Sequence, residues 1–214
     1  MFMIVFSVGW VVIARFLPPP SPNLTGLEVA DFYRSNLFMI RLGLVLSQAS
    51  LVFYLFWVAS ISSQLKRIEG ASPILSETQL IGGAGGCAAI LIACLVWGTV
   101  SFRPDRPPEL TLMLNDLGWI IFTTTFAPFM TQDFAIAWAI FSDKSKSPIY
   151  PRWVAYFNIW TPLLFVPAGL ILFFKTGPFA WNGILAFWIP LTIFFIWMIV
   201  MTVMTLKAMN RQTR

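Results

Sequence analysis

An all-α, polytopic helix bundle embedded in lipid is the fold class that this sequence predicts, and three observations carry it. Of 214 residues, 58% are hydrophobic and only 11% are charged, against about 25% charged in soluble domains. Mean hydropathy is +0.78, so a water-soluble globule would have to expose much of its apolar surface. Six apolar runs, 1–17, 37–62, 79–102, 117–142, 153–174 and 184–206, approach or exceed the length that crosses hydrocarbon, roughly 20 residues for a core of about 30 Å. The basic residues scatter, mostly at the ends of those runs. With no repeat and no long linker, residues 1–214 read as a single integral membrane domain with six spans.

The first run starts at Met1 and is followed by "PPPSP". It lacks the basic flank and small-residue cleavage site of a signal peptide, so it is read as a retained span. Thr25-Gly26-Leu27-Glu28 has the T-x-x-E form of a capping box, which predicts a helix that starts before the second run and leads into it. Ser76-Glu77-Thr78-Gln79 is read as the same device for the third run. Within that run Gly82, Gly86, Ala89 and Ala93 fall at i, i+4, i+7 and i+11, a close-packing seam within the bundle or between protomers. A phosphate-cradling loop would need a Lys-Ser/Thr after its glycines, and none follows.

Pro107 and Pro108 suit the first turn of a helix. Leu110, Met113, Leu114 and Leu117 then recur with helical spacing, predicting a short amphipathic helix at the outer interface that merges into span four. Pro128, Pro162, Pro167 and Pro190 lie inside runs and predict kinks, which lipid-embedded helices tolerate. Gly177-Pro178 and Asn182-Gly183 mark a tight turn before the last span. Trp119, Trp153, Trp181 and Trp188 lie near run ends and are read as interfacial belt residues.

Lysine and arginine positions set the orientation. One side collects Lys66, Arg67, Lys144, Lys146, Arg152, Lys207, Arg211 and Arg214; the other holds Arg15, Arg34, Arg41, Arg103, Arg106 and Lys175. The larger group predicts both termini on the cytoplasmic side of a bacterial inner membrane. Scattered cations exclude a nucleic-acid footprint, which needs a clustered stripe. The absence of histidine removes His-held haem, His-ligated zinc and Ser-His-Asp catalysis from this chain alone. Cys87 and Cys94 are seven apart, about 10.5 Å of helical rise and too far for a disulfide. No metal site is legible.

Two constellations can carry chemistry. On the outer side Arg34, Arg41 and Gln48 are seven apart and share one helix face. A lone charge at the depth of Arg41 costs about 2.5–3.5 kcal/mol on insertion scales, so a partner is required, and Asp116 is the first candidate. Asp31, Arg103, Asp105, Arg106 and Glu109 complete an outer-loop charge network. It reads either as an anion or headgroup site or, with five acids (Glu28 included) to four arginines, as a staple for the loops. The second constellation is Asp133, deep in the fourth run with no cation at its depth and only Asn158 and Gln48 as polar neighbours. A neutral acid there would donate to a buried ligand or relay a proton; the plainer role is an interhelical hydrogen bond.

"FRPDRPPELTLMLNDLGW", "PPPSP", "FYRSN" and "FFKTGPFAWNGILAFW" together resemble a group of six-span inner-membrane proteins of actinobacteria and proteobacteria with no assigned activity. The resemblance covers most of the chain and implies an address, not a mechanism. Function is therefore expected first as a membrane subunit or scaffold, without catalytic chemistry of its own. Its partners would be the bilayer and other membrane chains or copies of itself. The alternative is a binder or transporter of a hydrophobic or amphipathic small molecule in a cavity near Gln48, Asp133 and Asn158. No cofactor is evident, and bound lipid is the ligand that the residues admit.

Overall fold

The computed structural model describes residues Met1–Gln212; Arg214, counted in the orientation above, lies outside them. All regular structure among the described residues is helical. A short helix, α1 (Phe2–Ser7), continues as a π-helical turn, Val8–Ile13, and α2 spans Gly26–Ser35. Next come α3 (Leu37–Leu65), α4 (Pro73–Phe102), α5 (Pro108–Thr124), α6 (Ala127–Phe141) and α7 (Arg152–Leu163). A 3-10 stretch (Val166–Leu172), a 3-10 turn (Gly177–Phe179) and a π-helical turn (Ile184–Trp188) lead to α8 (Ile189–Gln212).

Five helical segments are long and apolar enough to cross a membrane: Leu37–Leu65, Pro73–Phe102, Pro108–Phe141, Arg152–Leu172 and Gly177–Arg211. This is compatible with a multi-pass membrane protein. The first run differs. Its two six-residue helical stretches reach at most about 18 Å, well under a core of about 30 Å.

Local signals account for most helix ends. The Thr25 box forms as read: the Glu28 amide donates to Thr25 Oγ1 at 3.3 Å and the Thr25 amide donates to Glu28 Oε2 at 2.7 Å. The Thr25 amide first, and then the Thr25 hydroxyl, which donates to the same Glu28 oxygen at 2.8 Å, lower the Glu28 carboxyl below the ordinary range. The Ser76 box does not form. Helix α4 already starts at Pro73, and Ser76 Oγ donates back to the Pro73 carbonyl at 2.8 Å. Pro73 at the first position needs no N–H partner, which is why it, and not Ser76, opens the helix. Pro128 likewise sits in the first turn of α6, after a break, and marks a restart, whereas Pro190 stands where the π-helical turn Ile184–Trp188 runs directly into α8.

The chain forms two compact units. The first comprises Met1–Tyr54, Cys87–Thr125 and Pro167–Trp188. Its core is aromatic: Trp97 meets Trp119 at 5.0 Å and Phe16 at 4.8 Å between ring centroids, and Trp10 meets Phe122 at 5.0 Å. Gly118 makes room for this, since a Cβ there would collide with the Trp97 indole nitrogen. Gly9 and Gly43 let the π-helical turn after α1 cross α3 at backbone contact. Trp119 is fully enclosed, so it is a core residue and not part of the belt; stacking against Trp181 at 6.3 Å draws both inward.

Helix α5 turns its apolar stripe outward. Leu110, Met113 and Leu117 are 45%, 58% and 44% exposed, while Thr111, Asn115, Gly118 and Trp119 are buried. In lipid the exposed side of a helix is the apolar one.

The second unit comprises Leu55–Gly86, Phe126–Val166 and Ile189 onward. Here Gly82 and Gly86 seat α4 on α6. A Cβ at Gly82 would lie 2.7 Å from the Pro128 carbonyl oxygen, and one at Gly86 would lie 2.6 Å from the Phe129 ring. The other two seam residues, Ala89 and Ala93, are buried in the first unit. Gly82→Ala should therefore strain backbone against backbone and cost about 1–3 kcal/mol. Gly98→Ala, where an added Cβ meets nothing within 4 Å, should be neutral or slightly stabilising. Thermal unfolding of the two variants in detergent checks this contrast.

Candidate functional site

In the first unit, Arg34 of α2, Arg41 of α3 and Arg106 of the loop after α4 all donate to main-chain carbonyls at or just beyond the end of α4, and of the three only Arg34 also pairs with an acid. Arg41 donates from Nε to the Ser101 carbonyl at 3.1 Å, and from Nη2 to the carbonyls of Ser101 at 2.6 Å and Phe102 at 3.2 Å. These are the last carbonyls of α4, which have no donor of their own and stand at the negative end of the helix dipole. Arg106 donates to the Thr99 carbonyl at 3.3 Å and Arg34 to the Pro104 carbonyl at 3.0 Å.

The one ion pair among the described residues is Arg34–Asp31 at 3.5 Å, on an exposed turn. The expected pair between Arg41 and Asp116 is thus replaced by helix capping, and Arg103, Asp105, Glu109 and Asp116 form no ion pair. Asp116 keeps Oδ1 buried without a hydrogen-bond partner. Beside it Asn115 accepts from the Tyr33 hydroxyl at 3.1 Å in the core. Burial holds the Tyr33 phenol well above its ordinary range, so it remains a donor.

Arg41 also forms the rim of a cavity of about 190 Å³. One wall is a stripe of α3, Arg41, Leu44, Val45 and Gln48, at i, i+3, i+4 and i+7; the other is Gly98, Ser101 and Phe102 of α4. Gly98 leaves it open, since no atom stands where its side chain would be. Gln48, half-buried, is the one polar side chain along it below Arg41, about 10.5 Å further down the helix. The volume lies below the 300–1,000 Å³ of drug-sized pockets; it fits a segment of a chain beside a charged group, not a whole enclosed ligand.

The other two residues proposed from sequence lie in the second unit. Asn158 is enclosed and its amide is engaged. It donates to the Val154 carbonyl at 2.8 Å and to the Met201 sulfur at 3.4 Å, and accepts from the Trp197 indole at 2.9 Å. It staples α7 to α8. Asp133 is equally enclosed, and neither of its carboxyl oxygens has a hydrogen-bond partner.

Sequence reasoning did not find Gly98, Ser101 or Phe102. A glycine inside an apolar run, Gly98, was the available signal, but a helix-end carbonyl has no letter in a sequence. No family model, curated protein or solved structure matches this chain.

Removing Asp116 charge by Asp116→Asn should change stability by less than about 0.5 kcal/mol. Arg41→Gln should lose about 1–3 kcal/mol with the charged caps. A double-mutant cycle should give a coupling near zero, and a coupling above about 1 kcal/mol would restore the ion pair.

Proposed function

We propose that this chain is a multi-pass bacterial inner-membrane protein that holds an amphipathic molecule with an anionic head, its head at Arg41 and its tail along the α3–α4 groove. The observation that carries this reading is the groove: an apolar trough with a guanidinium at its mouth and an uncommitted amide part-way down. Arg41 presents a delocalised charge whose remaining donors suit phosphate or carboxylate oxygens. Gln48 lies at the depth of an ester or amide linkage in such a molecule.

Assembly with other chains is the second reading, and one surface favours it. In the second unit Trp138, Tyr156 and Trp160 are 69%, 56% and 66% exposed on the paired helices α6 and α7. Trp160 stands about 12 Å into the span from Arg152, deeper than the interfacial belt. An aromatic side chain there suits a helix of another subunit.

Titration of delipidated protein with phosphatidylglycerol and phosphatidylcholine, followed by native mass spectrometry, separates the readings. Preferential retention of the anionic lipid, weakened about tenfold by Arg41→Gln and unchanged by Lys146→Gln, is expected, since loss of a charged hydrogen bond is worth about 1.5–3 kcal/mol. Equal retention of both lipids, or indifference to Arg41→Gln, contradicts lipid binding. A stoichiometric protein partner in material from the native membrane supports assembly.

A further inference from the structure

Asp133 is the one acid in the apolar interior of the second unit, and the structure gives it no counter-charge. On the helices of that unit the charged side chains stand at the ends: Glu77 near the start of α4, Arg152 at the first position of α7, and Lys207 and Arg211 in the last turns of α8. None faces Asp133. An ionised carboxylate without donors or a cation is not sustained in such a place, so a positive charge must accompany it.

The register of the α6–α7 hairpin brings a second feature to the same level. Phe141 meets Tyr156 at 5.0 Å and Phe129 meets Phe165 at 6.4 Å between ring centroids. Between those two rungs, Asp133 falls level with Thr161 and Pro162. Proline has no N–H, so the main-chain carbonyl of Asn158, four residues earlier, loses its helical donor. The helix tightens there: the Leu164 and Phe165 amides donate to the Thr161 and Pro162 carbonyls, both at 3.1 Å. Thr161 Oγ1 is itself buried without a partner. Thr131 and Thr202, by contrast, bond back to the carbonyls four residues before them.

One level of the hairpin thus gathers two carboxyl oxygens, a freed carbonyl and a free hydroxyl, all able to accept. What this set lacks is a cation. We propose that Asp133, with the Thr161 hydroxyl and the Asn158 carbonyl released by Pro162, forms a binding site for one monovalent cation, a proton or a sodium ion. Broken helices whose freed carbonyls join an intramembrane acid are a recurrent way of building such sites. The site belongs to the second unit and does not depend on the lipid groove of the first.

Dicyclohexylcarbodiimide reads the state of this carboxyl directly. It reacts with a protonated acid in apolar surroundings: the acid proton moves to a carbodiimide nitrogen and the carboxyl oxygen bonds to the central carbon. Transfer of the acyl group to nitrogen then leaves a stable acylurea, with no change of oxidation state. The full chain in liposomes would be treated across pH with and without sodium chloride, using potassium as the control, and Asp133 modification read by peptide mass spectrometry. Modification should fall about tenfold or more from the acid to the alkaline end of the range, as the carboxyl ionises.

Protection by sodium identifies the sodium ion, and a pH-dependent but sodium-indifferent profile identifies the proton. Thr161→Val, which keeps the acid, should shift the half-effective proton or sodium concentration about threefold or more by removing one oxygen. Modification that responds to neither pH nor sodium would overturn the site and leave Asp133 a permanently neutral packing group, and no modification at any pH would overturn it by showing no protonated carboxyl open to exchange. An unchanged profile in Thr161→Val would remove Thr161 from it and contradict the shared site as drawn.

Discussion

Hydrocarbon supplies no hydrogen bonds, and every polar group carried into it must find its partner within the chain. That constraint explains why all the regular structure is helical and where the departures from α-helix fall. Where a helix stops inside the protein, its last carbonyls need donors, and here arginines provide them. Arg41 on the Ser101 and Phe102 carbonyls, Arg106 on Thr99 and Arg34 on Pro104 do in lipid what capping residues and water do in a soluble protein. Within the helices, hydroxyls take the same course: Thr123, Thr124 and Thr125 each bond to the carbonyl four residues back, just before the chain breaks between α5 and α6.

The same constraint shows which parts of the fold were legible in the sequence. Length and apolarity located all five long segments, two of them to within three residues at each end and the others with starts six to nine residues late, because these properties act on each segment alone. The Thr25–Glu28 box was legible for the same reason. What failed depended on the third dimension. Arg41 was assigned the nearest acid in depth, Asp116, since side-chain charges can be read from letters; the carbonyls at the end of α4 are stronger acceptors in place but are invisible until that helix has an end. The spacing of the α5 stripe did not say which way it faces; in the structure it faces outward, as suits a helix with lipid for solvent. Trp119 lies near a run end, yet ring packing with Trp97 and Trp181 encloses it.

Of the two candidate sites, one was half visible and the other better than half. Arg41 and Gln48 were paired by their spacing, but the wall opposite, Gly98 to Phe102, comes from the packing of α4. Asp133 stood out as an acid without a cation. Its relation to Pro162 needed the hairpin register, which Phe129–Phe165 and Phe141–Tyr156 fix. Asn158 shows the opposite outcome: a polar residue at a promising depth whose amide is already committed to Val154, Met201 and Trp197.

Immersion in lipid underlies every one of these arguments, and spin labels placed singly at Phe56, Ile92 and Val203, all outward-facing on long helices, measure it directly in reconstituted bilayers. Collisional relaxation should show high access to oxygen and low access to a water-soluble nickel chelate at all three positions, the signature of hydrocarbon. Ready access of the nickel chelate to these positions would mean that water bathes them, and would contradict the account from its first step.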